Sequence, residues 1–235
     1  MDFTSGSSYS GGDCAADDSF CCREGWGRGK TYEVTLNEVA HSIFYAPQYV
    51  AIEEGYFSEE GLDLTLITGF GADKVLTALI SGEADIGFMG AEASIYAYQE
   101  GATDPVVNFA QLTQRAGNFL VAREEMPDFK WEDLKGRKVL GGRKGGMPEM
   151  VFEYILKKNG LDPEKDLSID QSIDFGATAA AFTGDDSADF TVEFEPSATA
   201  LEKQGAGYVV ASLGVDSGYI HTPPTVPEPA IWKKS

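Results

Sequence analysis

The chain has 235 residues, and its 38 acidic and 18 basic side chains give a formal net charge of -20 at pH 7. A net charge of this sign repels phosphate backbones and anionic lipid surfaces, so it excludes nucleic acid as a partner. The length allows one large or two small domains, and no apolar run approaches the roughly 20 residues of a membrane-spanning helix.

Residues 1–30 are rich in Gly, Ser and Asp and show neither a helical nor a strand period. Such a segment cannot bury enough apolar surface to offset its ordering entropy, so we expect a flexible leader. It lacks the positive and apolar stretches of a recognisable signal peptide. The leader contains all three cysteines, Cys14, Cys21 and Cys22, with no histidine or further cysteine at ligand spacing. The sequence therefore predicts no metal site and no cofactor.

From Tyr32 to Gly101, short apolar runs alternate with helical patterns, and each run ends in a small or polar turn before the next helix. This order is typical of an open, largely parallel sheet with helices between its strands. Ligands of such sheets bind where strands end and helices begin, so we expect the site at these turns. Strands are predicted at Tyr32–Val39, Leu62–Thr68, Asp85–Met89 and Val106–Thr113.

The pattern restarts after Gly117, which predicts a second α/β lobe. A glycine-rich turn precedes the helix that begins near Pro148, and another helix is predicted over Pro196–Gln204. Two lobes of this kind bind a ligand between them. We therefore predict a leader (1–30), a first lobe (31–115), a second lobe (116–214) and an atypical tail (215–235). Strands of the second lobe are predicted at Phe119–Arg123, Val139–Gly141, Leu167–Ile173, Phe190–Phe194 and Gly207–Leu213.

Four segments carry a resemblance to a known family: YAPQYVAIEEGYFSEEGLDLTLI, GADKVLTALISGEADIGFMG, DLKGRKVLGGR and FEPSATALEKQGAGYVVASLG. The sequence resembles the NMT1/THI5-like, or SsuA-like, substrate-binding proteins of ABC importers. The resemblance implies a type II periplasmic-binding-protein fold that closes on a nitrate, sulfonate, taurine or pyrimidine-precursor type of solute. It also implies a monomer outside the cytoplasm, periplasmic or lipid-anchored, which delivers the solute to ABC permease and ATPase subunits without chemical turnover.

The loop after the first strand combines a carboxylate, an imidazole and two aromatic rings. We expect Glu38 or His41 to hydrogen-bond a ligand, and Phe44 or Tyr45 to stack on a planar one. The alternative is a surface histidine beside two aromatic rings that pack in the core. A planar ligand would point to a heterocycle such as a pyrimidine.

Three small-residue turns precede helices, where free backbone N–H groups favour an acceptor or an anion. The alternative for each glycine is a tight turn alone. Glu195 lies before Pro196 and matches an EP element of the family at the second-lobe wall, with helix capping as its alternative. The predicted turn residues are Gly71, Ala72, Gly90, Ala91, Glu92, Gly145, Gly146 and Met147.

Two other classes of function remain open. The family name also covers fungal pyrimidine-precursor synthases. The resemblance implies that an enzyme of that kind carries a cysteine-rich motif in its folded body. The body of this chain has no cysteine, and residues 141–146 lack the Gly-Lys-Ser/Thr ending of a phosphate loop. A ligand-sensing module would use the same cleft, but the sequence shows no output segment.

The last residues read HTPPTVPEPAIWKKS, which is rich in proline and has no helical period. Members of the resembling family return to the first lobe after the second. We expect this return to be missing from residues 215–235, and a shift of reading frame in the gene is one hypothesis for the tail.

Overall fold

Two five-stranded sheets organise the chain. The computed structural model describes residues 30–101, 103, 106–113, 115–174 and 176–217, together with the backbone of 229–233. The predicted leader, most of the predicted tail and the three cysteines lie outside these residues. We call the parts of the chain around the two sheets the first and the second lobe. Both belong to one compact unit, Thr31–Ser235.

The first sheet is largely parallel, as the alternation of strands and helices predicts. Its outermost parallel pair joins Tyr32 to Leu62 and continues in register to Glu38 and Thr68. The strand order is β2-β1-β3-β10-β4, and β10 runs antiparallel to both of its neighbours. These strands are β1 (Tyr32–Glu38), β2 (Leu62–Thr68), β3 (Ile86–Phe88), β4 (Val106–Gln111) and β10 (Pro229–Lys233).

The second sheet repeats this plan. Its order is β7-β6-β8-β5-β9, with β6 parallel to β7 and β8, and with β5 antiparallel to β8 and β9. In each sheet, one antiparallel strand therefore lies fourth in the order. The strands are β5 (Asn118–Ala122), β6 (Lys138–Leu140), β7 (Ser168–Asp170), β8 (Phe190–Phe194) and β9 (Tyr208–Ser212).

Helices follow the parallel strands, and those nearest the lobe boundary begin after small residues. Among the described residues, no helix has the length and apolar character needed to cross a bilayer. The helices are α1 (Ala46–Glu53), α2 (Tyr56–Glu59), α3 (Ala72–Ser81), α4 (Glu92–Gln99), α5 (Met147–Lys158), α6 (Thr178–Gly184), α7 (Ser197–Lys203) and α8 (Leu213–Asp216), with 3-10 turns at Ile43–Tyr45 and Trp131–Leu134.

Each lobe has its own apolar core. In the second lobe, Phe152 and Ile155 of α5 are fully buried against residues of its sheet such as Leu120. In the first lobe, Val75 and Leu79 of α3 are fully buried beside the turns that follow the strands. These clusters fix the helices on their sheets, and so fix where each helix begins.

Several segments differ from the sequence predictions, and one of them is the short helix α8 (Leu213–Asp216), where no helix was predicted. The strand β10 lies in the first sheet between β3 and β4, so the expectation that no segment returns to the first lobe is wrong for Pro229–Lys233. Proline dominates the pattern of the tail, whereas backbone pairing with two distant strands decides the conformation of its short apolar run. The helix α6 was not predicted, because seven residues of Ala, Thr, Phe and Gly carry neither a clear period nor a cap.

Phe152→Ala is expected to lower the free energy of unfolding by about 3–5 kcal/mol, because loss of a fully buried ring leaves a cavity. Urea denaturation followed by circular dichroism measures the change. Tyr154→Ala on the same helix is the control, since Tyr154 is 45% exposed. Equal losses in the two variants would contradict the packing of α5.

Candidate functional site

The turns at the carboxyl ends of the parallel strands meet between the lobes. In the first lobe, β2 leads into α3 and β3 leads into α4; in the second lobe, β6 leads into α5. Because β1, β2 and β3 are parallel in the first sheet and β6, β7 and β8 are parallel in the second, the helices that follow these strands begin at one edge of each sheet. This arrangement forms two adjoining clefts.

The first cleft is narrow, with a cavity volume of about 20 Å³, and both lobes contribute to its wall. Six of the predicted turn residues line it, together with Val39, Arg143 and Pro148. The sequence predictions are therefore brought together at this point. The six are Gly71, Ala72, Gly90 and Glu92 from the first lobe and Gly146 and Met147 from the second.

The remaining two turn residues lie beside this cleft. Ala91 is buried directly before α4 and is not among the residues that line either cleft. Gly145 lines a neighbouring groove, and its N–H donates to Glu149 Oε2 at 3.2 Å. Its φ of +79° is a left-handed conformation that a glycine adopts without strain.

The second cleft has a cavity volume of about 60 Å³ and shares Pro148 with the first. His41 lines it from the first lobe and Glu195 from the second. The His41 side chain is 69% exposed, and its ring lies 4.4 Å from that of Tyr49. It is thus accessible to a solute in this cleft.

Glu38 is fully buried and lines neither cleft. Its carboxylate accepts hydrogen bonds from Gln48 Nε2 at 3.0 Å, Tyr49 Oη at 2.8 Å and Thr68 Oγ1 at 3.2 Å. It also lies 2.9 Å from His41 Nδ1. Burial, together with the hydrogen bond to Glu38, raises the pKa of the Tyr49 phenol. Glu38 therefore orients the loop that carries His41 and does not itself face the cleft.

The two aromatic residues predicted to stack on a ligand lie in apolar contacts. Tyr45 is 2% exposed and packs edge-on against Phe88, with the ring centroids 4.3 Å apart. Phe44 lies 5.4 Å from Phe194 of the second lobe, and a side chain on Gly117 would overlap its ring. The structure thus places Tyr45 in the first-lobe core and Phe44 between the lobes.

Glu195 caps a helix, which was the alternative considered for it, and it also lies at the second cleft. Its carboxylate accepts hydrogen bonds from the backbone N–H of Thr199 at 3.1 Å and from Thr199 Oγ1 at 2.9 Å, which caps the first turn of α7. The same residue lines the second cleft. The carbonyl oxygen of Glu195 accepts a hydrogen bond from Ser42 Oγ at 2.9 Å, which is a direct contact between the lobes.

One cleft residue that the sequence predictions missed is Glu193 on β8. It is 4% exposed, lines the second cleft and accepts a hydrogen bond from Thr191 Oγ1 at 2.7 Å. Burial raises the pKa of Glu193 to about 7, although hydrogen bonds from Thr191 and Thr178 oppose this shift. A carboxylate within the apolar strand FTVEF was the available signal.

A second missed feature is a group of ion pairs at the rim of the first cleft. Arg143 of the second lobe donates to Asp73 of the first lobe at 2.7 Å and also pairs with Asp174 of its own lobe. Lys74 of the first lobe lies 3.2 Å from Asp174. The sequence draws attention to Arg143 only through its glycine-rich turn, because its partners are distant along the chain.

The family model described as NMT1/THI5 like matches residues 43–215. The chain belongs to the NMT1/THI5-like family. The Bacillus subtilis protein YtlA, named as a candidate binding protein, is 52% identical over 188 residues, which are 80% of this chain and 56% of YtlA. The yeast 4-amino-5-hydroxymethyl-2-methylpyrimidine phosphate synthase THI5 is 27% identical over 124 residues, which are 52% of this chain and 35% of that enzyme.

The fold prediction is confirmed by comparison with solved structures. The periplasmic aliphatic sulphonate binding protein SsuA of Escherichia coli matches 85% of this chain and 64% of its own length, with a TM-score of 0.64 and 19% identity. The chain thus has the periplasmic-binding-protein fold of this family. It spans less than two thirds of both YtlA and SsuA.

Glu38→Gln is expected to destabilise the protein by about 1–3 kcal/mol, because an amide group would face the buried donors that the carboxylate now accepts. Thermal and urea denaturation measure the loss. The control is Glu33→Gln, an exposed position on the same strand, with an expected change within about 0.5 kcal/mol. An unchanged stability in Glu38→Gln would rule out the anchoring role.

Glu193→Gln tests the buried carboxyl of the second cleft. A folded-state pKa of about 7, above the ordinary value of 4.5 for a glutamate, means that the wild type loses stability as pH rises from 4.5 to 7. The amide variant has no such loss, so its stability relative to the wild type should rise by up to about 3 kcal/mol between pH 5 and pH 8. Urea denaturation at both pH values measures this difference. Exposed Glu125→Gln should follow the wild-type profile, and parallel profiles for all three proteins would contradict the burial of Glu193.

Proposed function

We propose that this protein is the solute-binding component of an ABC importer, located outside the cytoplasm. It captures a small organic or anionic solute between its lobes and delivers it to permease and ATPase subunits. In this proposal the protein binds and releases the solute without making or breaking a covalent bond, and it works as a monomer.

The observation that carries the proposal is the meeting of helix amino ends from both lobes at one cleft. Gly71 and Gly90 precede helices of the first lobe, and Gly146 precedes a helix of the second. A solute held there contacts both lobes at once. It therefore stabilises the arrangement in which the lobes are together, which is the basis of capture by hinge closure.

The contacts between the lobes fit this mechanism. Among the described residues, these contacts include four polar contacts and one aromatic contact: Ser42 with Glu195, Arg143 with Asp73, Lys74 with Asp174, Tyr96 with Met150, and Phe44 with Phe194. Exposed ion pairs contribute little free energy each. Lobes that are joined in this way can separate to admit and release a solute.

A second candidate function is pyrimidine-precursor synthesis, which the similarity to the yeast synthase favours. Covalent chemistry through a Schiff base or a thiolate needs a lysine or a cysteine at the cleft. Among the described residues that line the two clefts, none is a lysine or a cysteine, and one, His41, is a histidine. These residues support binding better than synthesis.

The test is calorimetric titration of the full chain with pyrimidines, flavins, sulfonates and nitrate, paired with small-angle scattering. Binding without turnover, accompanied by a change in the radius of gyration, is the expected result. Chemical conversion of a bound pyrimidine, detected by mass spectrometry, would establish the enzyme instead. Binding of no member of the screen would count against the proposed function.

Asp174→Asn is expected to weaken the affinity for the bound solute about 2- to 5-fold, because it removes the partner of Arg143 and Lys74 and so disfavours lobe contact. The difference from the wild type should shrink in 0.5 M salt, which screens these charges. Asp63→Asn, at an exposed position of β2, is the control. A salt-independent loss of affinity would instead indicate direct contact between Asp174 and the solute.

A further inference from the structure

The carboxylate of Glu92 occupies an unusual position at the first cleft. Its Oε1 atom is buried and has no hydrogen-bond partner among the described residues. A Cβ atom on Gly90 would lie 1.9 Å from this oxygen, so the side chain folds back over the bare backbone of the turn before α4. Glu92 lines the cleft together with Gly90 and Met147.

A buried carboxylate oxygen that has no hydrogen-bond partner indicates a place where a ligand can supply the missing donor. Buried polar atoms in native proteins are nearly all hydrogen-bonded. Burial raises the pKa of Glu92 to about 7, and the backbone N–H groups of Glu92 and Met147 oppose that shift only in part. A donor placed against Oε1 would satisfy the atom and stabilise the ionised form.

The nearby cation does not serve as this donor. Arg143 lines the first cleft, but its guanidinium pairs with Asp73 and Asp174. The adjoining second cleft contains a further buried carboxyl, that of Glu193. The walls of the two clefts therefore present carboxyl groups to a solute, and their arginine is already neutralised.

The position of Glu92 also affects whether an anion can bind in the first cleft. The amino ends of α4 and α5 are the places where a sulfonate or a nitrate would find backbone N–H groups. Here the protein's own carboxylate lies between them, in contact with Gly90 and directed to the N–H of Met147. A second anion in the same place would meet a like charge, which selects against that class of solute.

We propose that Glu92 makes the cleft selective for a solute with a cationic nitrogen group, such as an ammonium or a protonated ring nitrogen, and excludes small oxyanions. The inference rests on the proposed solute-binding function. It assigns Glu92 as the residue that determines specificity, with its Oε1 atom as the acceptor. It also separates the two solute classes that the sequence left open, a nitrogen heterocycle and a sulfonate-like anion.

The experiment titrates the full chain with two groups of probes. The cationic group is 4-amino-5-aminomethyl-2-methylpyrimidine, methylamine and imidazole, each of which has an N–H group when protonated, and the oxyanion group is methanesulfonate, sulfate and nitrate. We expect the wild type to bind a member of the cationic group and no oxyanion. Glu92→Gln should weaken that binding at least 10-fold, since a neutral amide cannot pair with a cation.

Two further variants separate selectivity from folding. Glu92→Ala should gain binding of methanesulfonate or nitrate, because it uncovers the helix amino ends. Gly90→Ala keeps Glu92 but must displace its carboxylate, so it should also weaken cation binding. Glu83→Gln, an exposed position after α3, is the matched control and should bind as the wild type does. Circular dichroism and melting curves establish that each variant is folded.

The outcomes distinguish the inference from the proposed function. Oxyanion binding by the wild type that is unchanged in Glu92→Gln would overturn the inference and leave solute binding intact. Cation binding unaffected by Glu92→Gln would overturn the role of Glu92 alone. No binding of any probe by the wild type or by folded Glu92→Ala would count against both the inference and a solute site at this cleft.

Discussion

The shared direction of the parallel strands is the constraint on which the rest of this structure depends. Every helix that lines the first cleft begins where a parallel strand has just ended: α3 after β2, α4 after β3 and α5 after β6. Parallel pairing sends these strand ends to one edge of each sheet. The helix amino ends of both lobes therefore meet without any long loop to bring them together.

Charge divides the boundary between the lobes into two regions. At the rim, Arg143 and Lys74 pair with exposed carboxylates and contribute weak, salt-sensitive contacts. Inside, burial raises the pKa of both Glu92 and Glu193. Ionisation of these carboxyls lowers the stability of the fold as pH rises from 4.5 to 7, and both residues line the clefts. Carboxyl groups held at a cost to stability are typical of binding and catalytic sites.

Local patterns in the sequence were enough to predict most of the elements around the clefts. The bounds of β2 and β8 agree residue for residue with the apolar runs, and the small residues before α3, α4 and α5 mark their beginnings. These features depend on neighbours within one or two turns of chain. The strand β10 could not be predicted, because its pairing partners lie more than 100 residues away.

By itself, the sequence determined the α/β class and predicted two lobes and the turns at which a site should form, because periodicity and turn chemistry are local properties. The family followed from the resemblance of four segments to known members. Only the tertiary structure decided which side chains reach the clefts. It turned Tyr45 into the core, placed Glu38 beneath its loop, and brought Glu92 to the amino end of α5. An amphipathic pattern shows that a face is covered, but the atoms that cover it come from parts of the chain that meet only in the folded protein.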